Sequence, residues 1–110
     1  MPKTIRMWQN EIHQLAVDKG WWETERNIPE VLCLIHSEIS EALEELRSGV
    51  EVQNYVLADN GKPEGFGVEL ADAVIRILDL AEHFDIDLEH LIALKHEYNK
   101  GRAYRHGKNF

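Results

Sequence analysis

The chain has 110 residues and a mass of 12.8 kDa, room for one domain but not for two independent cores. It carries 20 Asp and Glu against 12 Lys and Arg, a formal charge of −8, which argues against a nucleic-acid polymer as partner because such partners need a net basic face. Hydrophobic residues make up 44% and charged residues 29%, a globular and not a disordered balance, and no apolar run approaches the ~20 residues of a membrane span.

The opening Met-Pro-Lys-Thr-Ile-Arg lacks the apolar stretch of a secretory signal. Cys33 is the one cysteine, so no internal disulfide and no cysteine-based zinc site can form. A cytoplasmic protein is expected, with Cys33 an inert buried thiol. Charge is uneven along the chain. Residues 1–94 carry 7 basic and 19 acidic side chains, a net of −12, and residues 95–110 carry 5 basic and 1 acidic, a net of +4.

Apolar residues recur with the helical period, and strand signals are weak, so the class reads as all-α. A first helix is predicted over 3–19, with Ile5, Trp8, Ile12, Leu15 and Ala16 on one stripe and Gly20 as its stop. Trp8 is expected in the core. Asn27 is a good N-cap for a second helix, with Pro29 in its first turn and Glu30 at the third helical position, continuing to about 48. Its apolar face is Val31, Leu32, Ile35, Ile39, Ala42, Leu43 and Leu46. Residues 49–65, with Asn60-Gly61, Pro63 and Gly65, read as a loop, and a loop that long in a small domain is more often functional than idle. A third helix is predicted over 67–84. A fourth starts near Asp87 as N-cap and runs to about 100. Short connections between these helices predict a four-helix bundle over a single domain, 1–110. The third helix is apolar around most of its circumference, which predicts homo-oligomerisation through the second and third helices, as a dimer or a tetramer.

The exceptions on that third helix are polar. Glu69, Asp72, Arg76 and Asp79 are spaced 3, 4 and 3 apart and so share a face; on the second helix Glu38, Glu41 and Glu45 do the same. An Asp72–Arg76 ion pair within the helix is the simplest reading of that spacing. Carboxylates on one face repel, and turned inward they need a compensator. A divalent cation with hard oxygen ligands, Mg²⁺ above all, is the natural one. A ferritin-like di-iron centre is disfavoured, because no Glu is followed three residues later by His.

The segment Ser37-Glu38-Ile39-Ser40-Glu41, then Glu69-Leu70-Ala71-Asp72, then Lys95, Asn99, Arg102 and Tyr104, resembles the ExxE…ExxD and KxxxNxxR elements of the MazG-like all-α nucleoside triphosphate pyrophosphohydrolases. It spans residues 38–104. One departure stands out: Ser37 occupies the first position of a glutamate doublet common in that family. The resemblance implies a MazG-like helical fold and a Mg²⁺-dependent hydrolase, with Mn²⁺ as an alternative ion. Its substrate would be a nucleoside triphosphate, cleaved between the α and β phosphorus atoms to a monophosphate and pyrophosphate. It further implies Glu38, Glu41, Glu69 and Asp72 as catalytic metal ligands, and Lys95, Asn99 and Arg102 as phosphate-binding residues. Trp21, Trp22 and Tyr104 are candidates for base stacking or pocket lining; Trp21 and Trp22 are adjacent and cannot point the same way. His13, His36 and His83 read as structural. Two alternatives remain open: a non-catalytic helical adaptor that binds nucleotide without turnover, and a hydrolase of other nucleotide-like pyrophosphates.

Overall fold

The computed structural model describes residues 2–110 and is mostly helical. The helices are α1 (Ile5–Asp18), α2 (Ile28–Arg47), α3 (Phe66–His83) and α4 (Leu88–Lys100), with a short 3₁₀ turn at Tyr104–Gly107. The all-α reading therefore holds, with one addition. Within the loop expected at 49–65, β1 (Val56–Leu57) and β2 (Pro63–Glu64) pair antiparallel, Val56 opposite Glu64. The hairpin's strands are too short to leave a period-2 signal.

Local chemistry sets the helix starts. Thr4 accepts a hydrogen bond from the Met7 amide, Asn27 from Glu30 and Asp87 from His90, each at 3.1 Å. α3 has no side-chain cap; it starts after Gly65, whose φ is +145°. A Cβ there would lie 2.9 Å from the Asn54 carbonyl, so only glycine lets the hairpin approach close against the start of α3.

α3 is the central helix, packed against α2 and against α1. Val31, Ile35 and Ala42 of α2 and Ala73, Leu78 and Ala81 of α3 are the buried apolar residues of a small core. α1 runs antiparallel to α3: Arg6 and Gln9 bond Glu82, and His13 bonds Asp79. Gln9 is completely buried. Its amide donates to Glu82 Oε1 and to the Ile86 carbonyl, and its Oε1 accepts from the Leu88 amide at 3.1 Å. One side chain thus ties α1 to the α3–α4 turn and to the start of α4, with its polar atoms satisfied. α4 is held at this first turn, where Glu89 also accepts from the Ile5 amide at 2.9 Å.

Two burial expectations are corrected. Trp8 is half exposed beneath the Lys3 ammonium, because the α1 stripe turned toward α3 is centred on its neighbour Gln9. Cys33 is exposed, since the inward stripe of α2 falls on Val31, Ile35, Glu38 and Ala42. No helix among the described residues is long and apolar enough to cross a membrane.

Candidate functional site

The inward stripe of α2 carries Glu38 toward the first turns of α3, where Glu69 and Asp72 lie one turn apart. Carboxylate oxygens of Glu38, Glu69 and Asp72 all come within 4.8 Å of one another, and all three residues are half-buried. One turn further along α3, Arg76 donates from Nε to Glu38 Oε1 at 2.9 Å. The ion pair expected within α3 is therefore replaced by one between helices, with Arg76 reaching Glu38.

Crowding shows in the protonation of these groups. Desolvation between the helices, then a hydrogen bond with Glu38, then the charges of Asp72, Glu38 and Glu41, push the Glu69 carboxyl up to about 7. Asp72 is also raised, by desolvation and the Glu38 charge, against the lowering effects of Arg76 and Lys62. Lys62 comes from the tip of the hairpin, where Asn60 Oδ1 accepts from its amide. Glu41 lies outside the three-carboxylate group. It is exposed one turn beyond Glu38 and acts on Glu69 by charge alone. Ser37 turns away as well, donating from Oγ to the Leu34 carbonyl of its own helix.

Beside the acids a cavity of about 420 Å³ opens between α1, α2 and α3. Ile12, Leu15 and Ala16 of α1, with Ile75 of α3, make an apolar wall. Lys19, Trp21 and Arg26 come from the α1–α2 connection, and Glu38, Asp72, Arg76 and Asp79 complete the lining. Asp79 is buried. Its Oδ1 is 2.7 Å from His13 Nδ1, and Trp22 Nε1 donates to both of its carboxylate oxygens, at 2.9 and 3.2 Å. The other face of this assembly is aromatic: the Trp22 ring stacks on His83 at 3.9 Å, with the Arg26 guanidinium 4.8 Å from it.

The adjacent tryptophans therefore divide. Trp22 is fixed in place by Asp79 and His83, while Trp21 is 59% exposed and lines the cavity. His13 has the structural contacts expected of it, and His83 packs on Trp22. Lys95, Asn99 and Arg102 line no part of this cavity and bond to none of the three acids. Lys95 and Arg102 instead lie over the Tyr98 ring, at 4.9 and 5.7 Å. Tyr104 is 86% exposed, beside Arg105. The cations that the fold brings to the acids and the cavity are Arg76, Lys62, Lys19 and Arg26. Of these, Lys62 sits in a segment with no periodicity to read, and Lys19 and Arg26 lie just outside helix ends, where pattern gives no direction.

The arrangement can do two things. Three hard oxygen donors at this spacing can hold a divalent cation. The flanking cavity can hold an amphipathic anion, its apolar part against α1 and Trp21 and its charge near the three basic side chains of the lining. Compared with family models, curated proteins and solved structures, the chain has no match.

Proposed function

We propose that this chain is a divalent-cation-dependent nucleoside triphosphate pyrophosphohydrolase of the cytoplasm, acting as a homo-oligomer of helical bundles and resembling the MazG-like enzymes. The carrying observation is the convergence of Glu38, Glu69 and Asp72 beside a cavity that is apolar on one side and basic on another. The donor set suits Mg²⁺ or Mn²⁺: it is all carboxylate oxygen, and the crowding that raises Glu69 is what a bound cation relieves. When bound, such a cation supplies charge neutralisation of the triphosphate and activation of water.

The residues of the chain then have separate tasks. Glu38, Glu69 and Asp72 would hold the cation, with Glu41 exposed one turn beyond Glu38. Arg76 fixes the rotamer of Glu38 through their 2.9 Å bond. Lys62, Lys19 and Arg26 offset phosphate charge, and Trp21 with the α1 wall seats the base. Water attacks the α phosphorus, the bond to the bridging oxygen breaks, and pyrophosphate leaves with that electron pair. The proton lost by the water passes to a carboxylate of the acidic stripes. Lys95 and Asn99 of α4 and Arg102 just beyond it, which the family resemblance makes phosphate ligands, lie outside this cavity.

The test is pyrophosphate release from each common ribo- and deoxynucleoside triphosphate with Mg²⁺, with Asp72→Asn as control. Release that vanishes in the variant is expected; silence across the panel would reject the reading. The turned-away Ser37 favours one second reading, a nucleotide-binding helical adaptor. That reading predicts thermal stabilisation by nucleotide without turnover.

A further inference from the structure

We infer that the buried carboxylate of Asp79 reads the base of the bound nucleotide, accepting a hydrogen bond from an exocyclic amino group and so favouring cytosine and adenine over uracil and hypoxanthine; this rests on the nucleotide function proposed above.

Helix periodicity places Asp79 for the task. It shares a face of α3 with Asp72, seven residues on and so about 10 Å along the helix axis. Both line the cavity, with Ile75 and Arg76 between them. The cavity therefore runs along α3 from Glu38 and Asp72 at one end to Asp79 at the other. Ile12, Leu15 and Ala16 of α1, with Trp21, make its apolar side. A nucleotide with its phosphates at the acids carries its base toward Asp79. The flat faces of the base meet apolar side chains, and its polar edge meets the carboxylate.

That carboxylate has acceptor capacity to spare. An ionised carboxylate only accepts, and can take about four hydrogen bonds. Asp79 is 9% exposed. His13 donates from Nδ1 to its Oδ1 at 2.7 Å, and the Trp22 indole proton is shared between Oδ1 at 2.9 Å and Oδ2 at 3.2 Å. Oδ2 thus has one long contact and no other partner among the described residues. No Lys or Arg pairs with it. Arg76, three residues back on the same helix, is turned to Glu38, and the ion-pair partner of Asp79 is His13. Holding Trp22 and His13 needs acceptor atoms but not a buried charge, which is costly when incompletely paired. A donor on a ligand in the cavity completes the set. His13 and Trp22, the latter stacked on His83 at 3.9 Å, also fix the carboxylate in one orientation, so the acceptor is preorganised.

The chemistry of the bases then sets the choice. Cytosine and adenine offer an amino N–H at the edge remote from the sugar. Uracil and hypoxanthine carry a carbonyl oxygen at the same position, which repels a carboxylate and leaves Oδ2 without its donor.

The experiment measures kcat/KM for pyrophosphate release from two matched pairs, dCTP against dUTP and dATP against dITP, beside calorimetric binding of dCMP and dUMP. The wild type is expected to favour the amino member of each pair roughly 10- to 100-fold, the worth of a hydrogen bond to a charged group. It should bind dCMP more tightly than dUMP. Asp79→Asn exchanges an acceptor oxygen for an NH₂ donor, and its preference should vanish or reverse. A uniform loss on all substrates with the ratios kept would assign Asp79 to holding Trp22 and overturn the inference, as would equal use of both members of both pairs by the wild type. The wild-type ratios decide the matter if the variant does not fold. Wild-type protein that releases no pyrophosphate would reject the hydrolase; tighter binding of dCMP than of dUMP would still uphold the base reading, and equal binding or none would overturn it.

Discussion

Arg76 of α3 donates from Nε to Glu38 Oε1 of α2 at 2.9 Å, joining the two helices at the point where three carboxylates meet. Among the described residues it is the one cation hydrogen-bonded within that cluster. The bond does two things at once: it offsets part of the cluster's charge and it holds Glu38 in one rotamer.

Arg76→Met keeps much of the side-chain stem and removes the guanidinium. The half-buried carboxylates then lose their bonded counter-charge, and stability should fall by about 1.5–3 kcal/mol, the range for a hydrogen bond to a charged group. Urea denaturation checks the loss. Millimolar Mg²⁺ or Mn²⁺ should recover part of it, because a cation binding only the folded chain stabilises it by mass action.

The raised Glu69 carboxyl makes a pH prediction with a definite sign. Between 4.5 and about 7 the folded chain keeps a proton that the unfolded chain has lost. Without divalent cation, this group's contribution to stability is therefore present at acid pH and is lost as pH rises toward 7. Glu69→Gln should flatten that slope. Divalent-ion affinity should run the other way, rising with pH up to about 7 because the ion competes with the proton. Thermal melts and calorimetric titration across this window test both.

Gln9→Ala should be among the most damaging single changes in α1. It leaves the Ile86 carbonyl and the Leu88 amide without their partner and opens a cavity where no solvent reaches. A loss of roughly 2–4 kcal/mol is expected from unpaired buried groups alone. Amide exchange should quicken first in α4, whose first turn Gln9 holds.

Gly65→Ala places a methyl group 2.9 Å from the Asn54 carbonyl, at a φ of +145° that side chains rarely adopt. The hairpin must move off the start of α3, at a cost of roughly 1–3 kcal/mol. Lys62 moves with it. The expected outcome is a weaker effect of Lys62 on Asp72, read as an upward shift in the Asp72 titration by carboxyl NMR.

Much of the helical fold is legible in the sequence because its causes are local. Caps at Asn27 and Asp87, the stop at Gly20 and the apolar period fix where helices run, within a residue or two. The Glu69–Asp72 pair is legible for the same reason: two residues three apart on a helix must share a face. Packing decided what spacing could not. Adjacent helical positions differ by about 100°, so a small rotation of α1 buries Gln9 and exposes Trp8, and the rotation of α2 turns Glu38 inward and leaves Glu41 at the edge. Arg76 has a partner available on its own helix and another on the next, and only the distance between helices selects Glu38. Lys19, Arg26 and Lys62 reach the acids and the cavity from irregular segments, whose directions are set by what they pack against. Local spacing marked which residues could form a carboxylate site; tertiary packing chose three of them and supplied the surrounding cations, because contacts between residues far apart in the chain follow from helix placement and not from local spacing.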